Sequence, residues 1–272
     1  MEFYSWQNIF SFLNSNFTAA LAGALGGALA AQRIGDRAKQ RDMLLQEIRS
    51  TNAAIMVTFT ICNAGIALKK QFINDIYETY IAKKAELNEF QQRRSTGQQS
   101  LEIPFEFRAD LRSLQMPVVP IDVLRTQVYE SISATGRPLA LVSTLVGATT
   151  SLADTIQKRN ALIERVRQLG PAGADQLPAI YFGLPYGPGH VSTEFSDAIE
   201  SLHNLNDDVI FFSELLGEDL ITHGKRVLEQ YKKISKVKKE KISSVDYTEP
   251  REKGLMPDAM NYADWLKGFP AQ

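Results

Sequence analysis

The sequence predicts a mainly α protein. An N-terminal single transmembrane helix continues into a long coiled-coil-like helix, which packs in an elongated cytoplasmic helical bundle with at most one short edge strand. Three observations lead there. Residues 3–32 carry no charge, a window of 30 positions. No proline precedes Pro104. Beyond the uncharged window, apolar residues recur with alternating steps of three and four, the period of a helix seam.

Whole-chain averages conceal this start. The chain has 272 residues, 30 Lys+Arg against 31 Asp+Glu, a net charge of −1 and 44% hydrophobic residues; its mean hydropathy is −0.18. These values exclude a disordered chain, a collagen-like repeat and a polytopic membrane protein. The near-neutral total excludes a uniformly basic nucleic-acid binder. A single cysteine, Cys62, excludes an internal disulfide and a thiolate zinc site.

The first element is the membrane span. Residues 17–31 are all small or apolar once Thr18 is allowed. Including Phe10, Phe12 and Leu13 brings the run to the roughly 20 residues that a bilayer requires. Phe3, Tyr4 and Trp6 precede it as interfacial aromatics, and Arg33, Arg37, Lys39 and Arg41 follow it as a basic flank. That asymmetry puts the N-terminus outside and the rest in the cytoplasm of a bacterial inner (plasma) membrane. A cleaved signal peptide would carry its basic residues before the apolar run, so this pattern is not one. Seven Ala and three Gly stand in the run beside only three Leu, so a soluble Ala/Gly helix packed inside the bundle is the competing reading. Ala19, Gly23, Gly27 and Ala31 recur every four residues, and this small-residue row lets two helix backbones approach closely in lipid. A homo-oligomer is the expectation. The glycines form no phosphate loop, because no Walker Lys-Ser/Thr and no preceding strand accompany them.

The next element is one long helix over 33–94. Its seam reads Leu45, Ile48, Asn52, Ile55, Phe59, Cys62, Ile66, Lys69, Ile73, Ile76 and Tyr80. Asn52 is a buried polar residue of the kind that fixes register, Lys69 weakens the seam, and Gly65 marks a candidate kink. Residues 53–68 are apolar enough to suggest a second span, but their apolar side chains concentrate on the seam face, which favours a buried helix.

Residues 95–137 hold a strap and a short helix. Leu101, Ile103, Phe105, Phe107, Ala109 and Leu111 alternate with polar residues, a period-two pattern that Pro104 demotes to an edge strand or an extended strap. Pro117 and Pro120 open a short helix that Gly136-Arg137-Pro138 closes. Residues 138–242 form the main bundle part. A helix over 138–169 ends at Gly170-Pro171, and a Pro/Gly loop with Tyr181 and Phe182 either caps a core or lines a cleft. A last long helix runs from Ser192-Thr193-Glu194 to about Lys233. Residues 243–272 read as a tail with at most a short helix over 259–266.

Charge is laid down in blocks. Residues 168–224 lack Lys and Arg but hold nine acids and all three histidines. His203 with Asp207, and Asp219 with His223, are i,i+4 pairs of metal-ligating type, yet they lie more than four turns apart and no H-E-x-x-H accompanies them. No metal and no cofactor is expected. Lys232, Lys233, Lys236, Lys238, Lys239 and Lys241 follow in a basic helix end. Three roles suit it: a solvated end favoured by the helix dipole, an anionic-lipid contact worth about 1 kcal/mol per Lys near the surface, or, with no aromatic platform, the least favoured role of nucleic-acid contact. The acidic block pairing with the basic block of a neighbouring subunit is a further expectation.

No G-x-S-x-G, paired catalytic carboxylates or Cys–His arrangement occurs, so no enzyme is expected. The functional expectation is a membrane-anchored scaffold, adaptor or sensor with lipid, a second copy and a protein partner as its contacts. Two other classes stand beside it: a membrane-perturbing effector of a bacterial toxin or anti-phage system, and a soluble helical interaction protein.

Overall fold

A computed structural model of the chain describes residues 16–97, 105–168, 176–235, 237 and 239–271. Outside them lie Phe3, Tyr4, Trp6, Phe10, Phe12 and Leu13, the beginning of the strap at Leu101 and Ile103, the Gly170-Pro171 stop, and Lys236 and Lys238.

Among the described residues the protein is a mainly helical bundle. Helix α1, Asn16–Leu68, passes through a π turn at Lys69–Ile73 into α2, Asn74–Ser95, without a break. The absence of proline and of turn clusters permits this continuity. Ile48, Ile55, Cys62, Ile66, Lys69, Ile73, Ile76 and Tyr80 are all buried along it, so the three-four spacing locates the packed face. Each fully buried Ile stabilises by roughly 1.5–3 kcal/mol.

The remaining helices are α3, Ile121–Ser131; α4, Arg137–Gln168; the short α5, Leu177–Phe182; and α6, Glu194–Ile234. Helix α6 packs against both α1 and α4, and α3 also contacts these two. α1 and α6 are antiparallel. Lys69 meets Asp207, and Ile48 belongs to one cluster with Val227, Leu228 and Tyr231. Residues 53–68 are therefore part of the bundle, with Ile55, Thr58, Ile61, Cys62, Ile66 and Leu68 buried.

Gly65 is not a kink. A Cβ there would lie 2.9 Å from Ile210 Cγ1, and Asn206 Nδ2 donates to the Gly65 carbonyl at 3.2 Å. The residue is small because α6 crosses α1 at this point. The irregular turn sits one turn later, where the helix carries the buried Lys69.

The period-two segment becomes a strap. Phe105, Phe107, Ala109 and Leu111 face the core while Glu106 and Arg108 face outward, yet no strand pairs with residues 105–116. Side chains of α4 replace the ladder. Arg159 donates to the carbonyls of Arg112 at 2.6 Å and Asp110 at 3.1 Å, and Arg167 donates to Leu111 O at 2.8 Å. Asn160 accepts from Leu114 N at 3.0 Å and donates to Leu114 O at 2.7 Å. The strands among the described residues are instead a small hairpin, Pro185–Gly187 with His190–Val191.

Tyr181 and Phe182 settle the loop's role, since both are buried against Phe107, with Tyr80 at 5.9 and 5.7 Å between ring centroids. The C-terminal residues are no free tail. Two further helices, α7 (Thr248–Glu252) and α8 (Ala263–Gly268), pack with a 3₁₀ turn, Ala259–Tyr262. Tyr262 stacks on Phe211 at 3.7 Å, and Trp265 lies 5.1 Å from Phe212.

Candidate membrane anchor and its junction with the bundle

The N-terminal part of α1 stands apart from everything below it. Every residue from 23 to 37 is exposed, and a Cβ added at Gly23, Gly26, Gly27 or Gly35 would meet nothing within 4 Å. Leu21, Leu25 and Leu29 are 50–59% exposed. Gly23, Gly27 and Ala31 thus present a small-residue face that no other part of the described chain covers. Ala19 belongs to the same helix, and its side chain is outside the described residues. Arg33, Arg37 and Lys39 are exposed, while Arg41 pairs with its neighbour Asp42 at 2.9 Å.

Two helical stretches, Gly23–Ser95 and Arg137–Gln168, are long and apolar enough to cross a membrane by length and composition. Burial separates their parts. The Ile55, Ile61, Cys62 and Leu68 face of residues 53–68 and the Leu141, Val142, Leu145 and Leu152 face of α4 are packed inside the bundle. The run ending at Ala31 is not.

The bundle begins at a polar knot that joins three elements. Glu47 Oε1 lies 2.9 Å from His223 Nε2 of α6 and accepts from Ser133 Oγ at 2.5 Å and Ser133 N at 2.9 Å. The His223 hydrogen bond holds the Glu47 carboxyl down to about 2, against the opposing effect of its burial. Beneath the knot, Asn52 donates to Lys241 O at 2.9 Å and accepts from Ser243 N at 2.8 Å. Asn52 is therefore not a register residue facing a second helix. It holds the extended segment after α6.

The acidic block resolves in the same way. Asp207 pairs with Lys69 at 2.7 Å and Asp219 with Arg137 at 2.5 Å; Glu194 meets Arg165 at 2.8 Å, and Glu214 meets Arg251. Cations from the π turn, α4 and the C-terminal residues thus face acids of α6 within one chain. Both candidate metal pairs are divided among these partners. Asp219 serves Arg137, His223 serves Glu47, and His203 stacks on Tyr77 at 4.0 Å with its Nε2 3.8 Å from Asp207. No group of three metal-ligating side chains comes together among the described residues.

Cys62 lies on the packed face with its Sγ 3.7 Å from Ile210 O, and burial pushes its thiol up to about 12. A thiol held protonated in this way is a packing group rather than a nucleophile. Sequence reasoning missed Lys69 as a buried ion-pair partner and Arg159 as the holder of the strap. No local pattern marks either, because their partners lie 138 and 47–49 residues away.

The C-terminal end of α6 returns to the N-terminal part of α1. Tyr231, Ile234, Ser235 and Val237 line a shallow groove with Arg41, Asp42 and Leu45. Lys233, Lys239 and Lys241 are exposed, Lys241 beside Asn52 below the groove, and Lys232 pairs with Glu229 at 2.8 Å. No protein-family model, curated protein or solved structure matches this chain.

Proposed function

We propose that the protein is a single-pass, membrane-anchored helical scaffold, adaptor or sensor. Its N-terminus lies outside, its bundle lies in the cytoplasm, and copies associate through the Gly23/Gly27 face. The observation that carries this reading is the exposure of residues 23–37 on a helix whose later half is core.

Water gives that exposed helix little reason to exist. Gly23, Gly26 and Gly27 each cost about 1 kcal/mol relative to Ala, and no packing offsets them. A bilayer reverses the balance, because every backbone N–H and C=O must then be paired inside the segment and a helix does so. Leu21, Leu25 and Leu29 gain apolar surroundings, and Arg33 marks the edge. The uninterrupted path from anchor to α2, with its coiled-coil-like seam, suits a rod that transmits a movement from the membrane to the bundle.

Reporter fusions test the topology. A periplasm-dependent reporter fused after Lys70 stays silent and a cytoplasmic one is active; the opposite pattern contradicts the reading. The bare small-residue face also favours a second reading, a membrane-perturbing effector. Expression would then depolarise cells and Gly23→Leu/Gly27→Leu would abolish this, whereas a scaffold leaves the membrane potential intact.

A further inference from the structure

Above the point where α1 enters the bundle, its packed face changes chemistry. Arg41 and Arg37 precede Ile48 by seven and eleven residues, so at about 100° per residue both point within roughly 20° of the Ile48 direction. The face that meets α6 at Ile48 is therefore arginine-bearing one and two turns beyond Leu45. The antiparallel course of α6 brings its end to the same place, with Ile234 and Val237 beside Arg41 and Leu45. Two basic segments almost 200 residues apart in sequence meet there.

We propose that Arg37, Arg41, Lys233 and Lys239 form one surface that binds the phosphate headgroups of anionic phospholipid in the anchoring membrane. The inference rests on the anchor reading and adds to it the class of lipid that holds the bundle. Among the described residues Arg37, Lys233 and Lys239 have no salt-bridge partner, which leaves their charges for a ligand. Asp42 and Glu240 also line the groove, so its positive charge depends on these flanking groups. Ile234 and Val237 are 37% and 53% exposed between the lysines, an apolar component that suits an interface more than a solvated helix end.

Distance is compatible. From Ala31 to Arg41 the helix rises about 15 Å. The headgroup layer occupies roughly 5–8 Å beyond the hydrocarbon, and the surface potential extends about another 8 Å at physiological salt. The groove thus sits at the outer reach of the field, where long Lys and Arg side chains and an ordinary helix tilt of about 20° close the gap. Binding at this range is salt-sensitive.

A full-length Val237→Cys variant carries one accessible thiol, since Cys62 is buried. It is labelled with an environment-sensitive dye and reconstituted into phosphatidylcholine vesicles with or without phosphatidylglycerol. We expect the protein to float with both vesicles and the dye emission to shift to the blue only with phosphatidylglycerol. Molar salt, or Lys233→Gln/Lys239→Gln, should remove the shift. Flotation with both and an unchanged, water-like emission overturns the lipid surface while leaving the anchor intact. Flotation and a blue shift with phosphatidylglycerol vesicles alone support the surface and overturn the anchor. Flotation with neither overturns both, and a shift produced by added nucleic acid instead of vesicles overturns the assignment to lipid.

Discussion

Glu47 and His223, 176 residues apart, meet at 2.9 Å where the exposed part of α1 becomes part of the bundle. Glu47 is charged in the folded state down to about 2, against an ordinary value of 4.5. A carboxyl lowered on folding contributes stability above its unfolded value, and this contribution is lost as pH falls from about 4.5 toward 2. Wild type should therefore exceed Glu47→Gln in stability at neutral pH, with the difference shrinking through that window. Denaturant midpoints of both proteins at pH 7, 4 and 2.5 check this; a gap that stays constant with pH would remove the assigned role.

The Lys69–Asp207 pair lies inside the α1–α6 contact, with side chains only 7% and 16% exposed. Removing one partner strands the other. Lys69→Met alone should cost about 3–5 kcal/mol, and Lys69→Met/Asp207→Leu should recover most of it. Thermal unfolding in detergent measures both; equal losses in the single and double variants would count against a closed ion pair.

Two glycines of α1 should respond in opposite ways to the same change. Gly65→Ala puts a methyl 2.9 Å from Ile210 Cγ1, and this overpacking should cost about 1–3 kcal/mol despite the better helix propensity of Ala. Gly27→Ala meets nothing within 4 Å, so bundle stability should not fall. Circular dichroism melts of the two variants separate the cases, and a stabilised Gly65→Ala would mean that the helices are further apart.

Arg159 is fully buried and holds the strap through the carbonyls of Asp110 and Arg112. Arg159→Met should cost about 1–3 kcal/mol for each carbonyl left unpaired. Its local signature is faster tryptic cleavage at Arg108 and Arg112. Loss of stability without faster cleavage there would place the damage elsewhere.

The helices and their ends were largely legible, because Pro and Gly punctuate them and the α1 seam repeats at short range. Alternation in residues 105–111 was equally legible, but it reports only which side chains face inward. Arg159 and Asn160 as partners leave no periodic trace. The same holds for Asn52, whose polar position on the seam was visible while its partner, the backbone at Lys241 and Ser243, was not. The C-terminal residues looked like a tail because their helices are short. They are held by rings, Tyr262 and Trp265 on Phe211 and Phe212, rather than by helical periodicity. The small-residue row and the basic flank were read from sequence; their exposure above the bundle came from the structure.

The proposed function depends most on the anchor. Alkaline carbonate extraction of membranes from cells expressing the full chain tests it directly. An integral single-pass protein stays in the membrane pellet, and release into the supernatant would contradict a membrane-spanning helix.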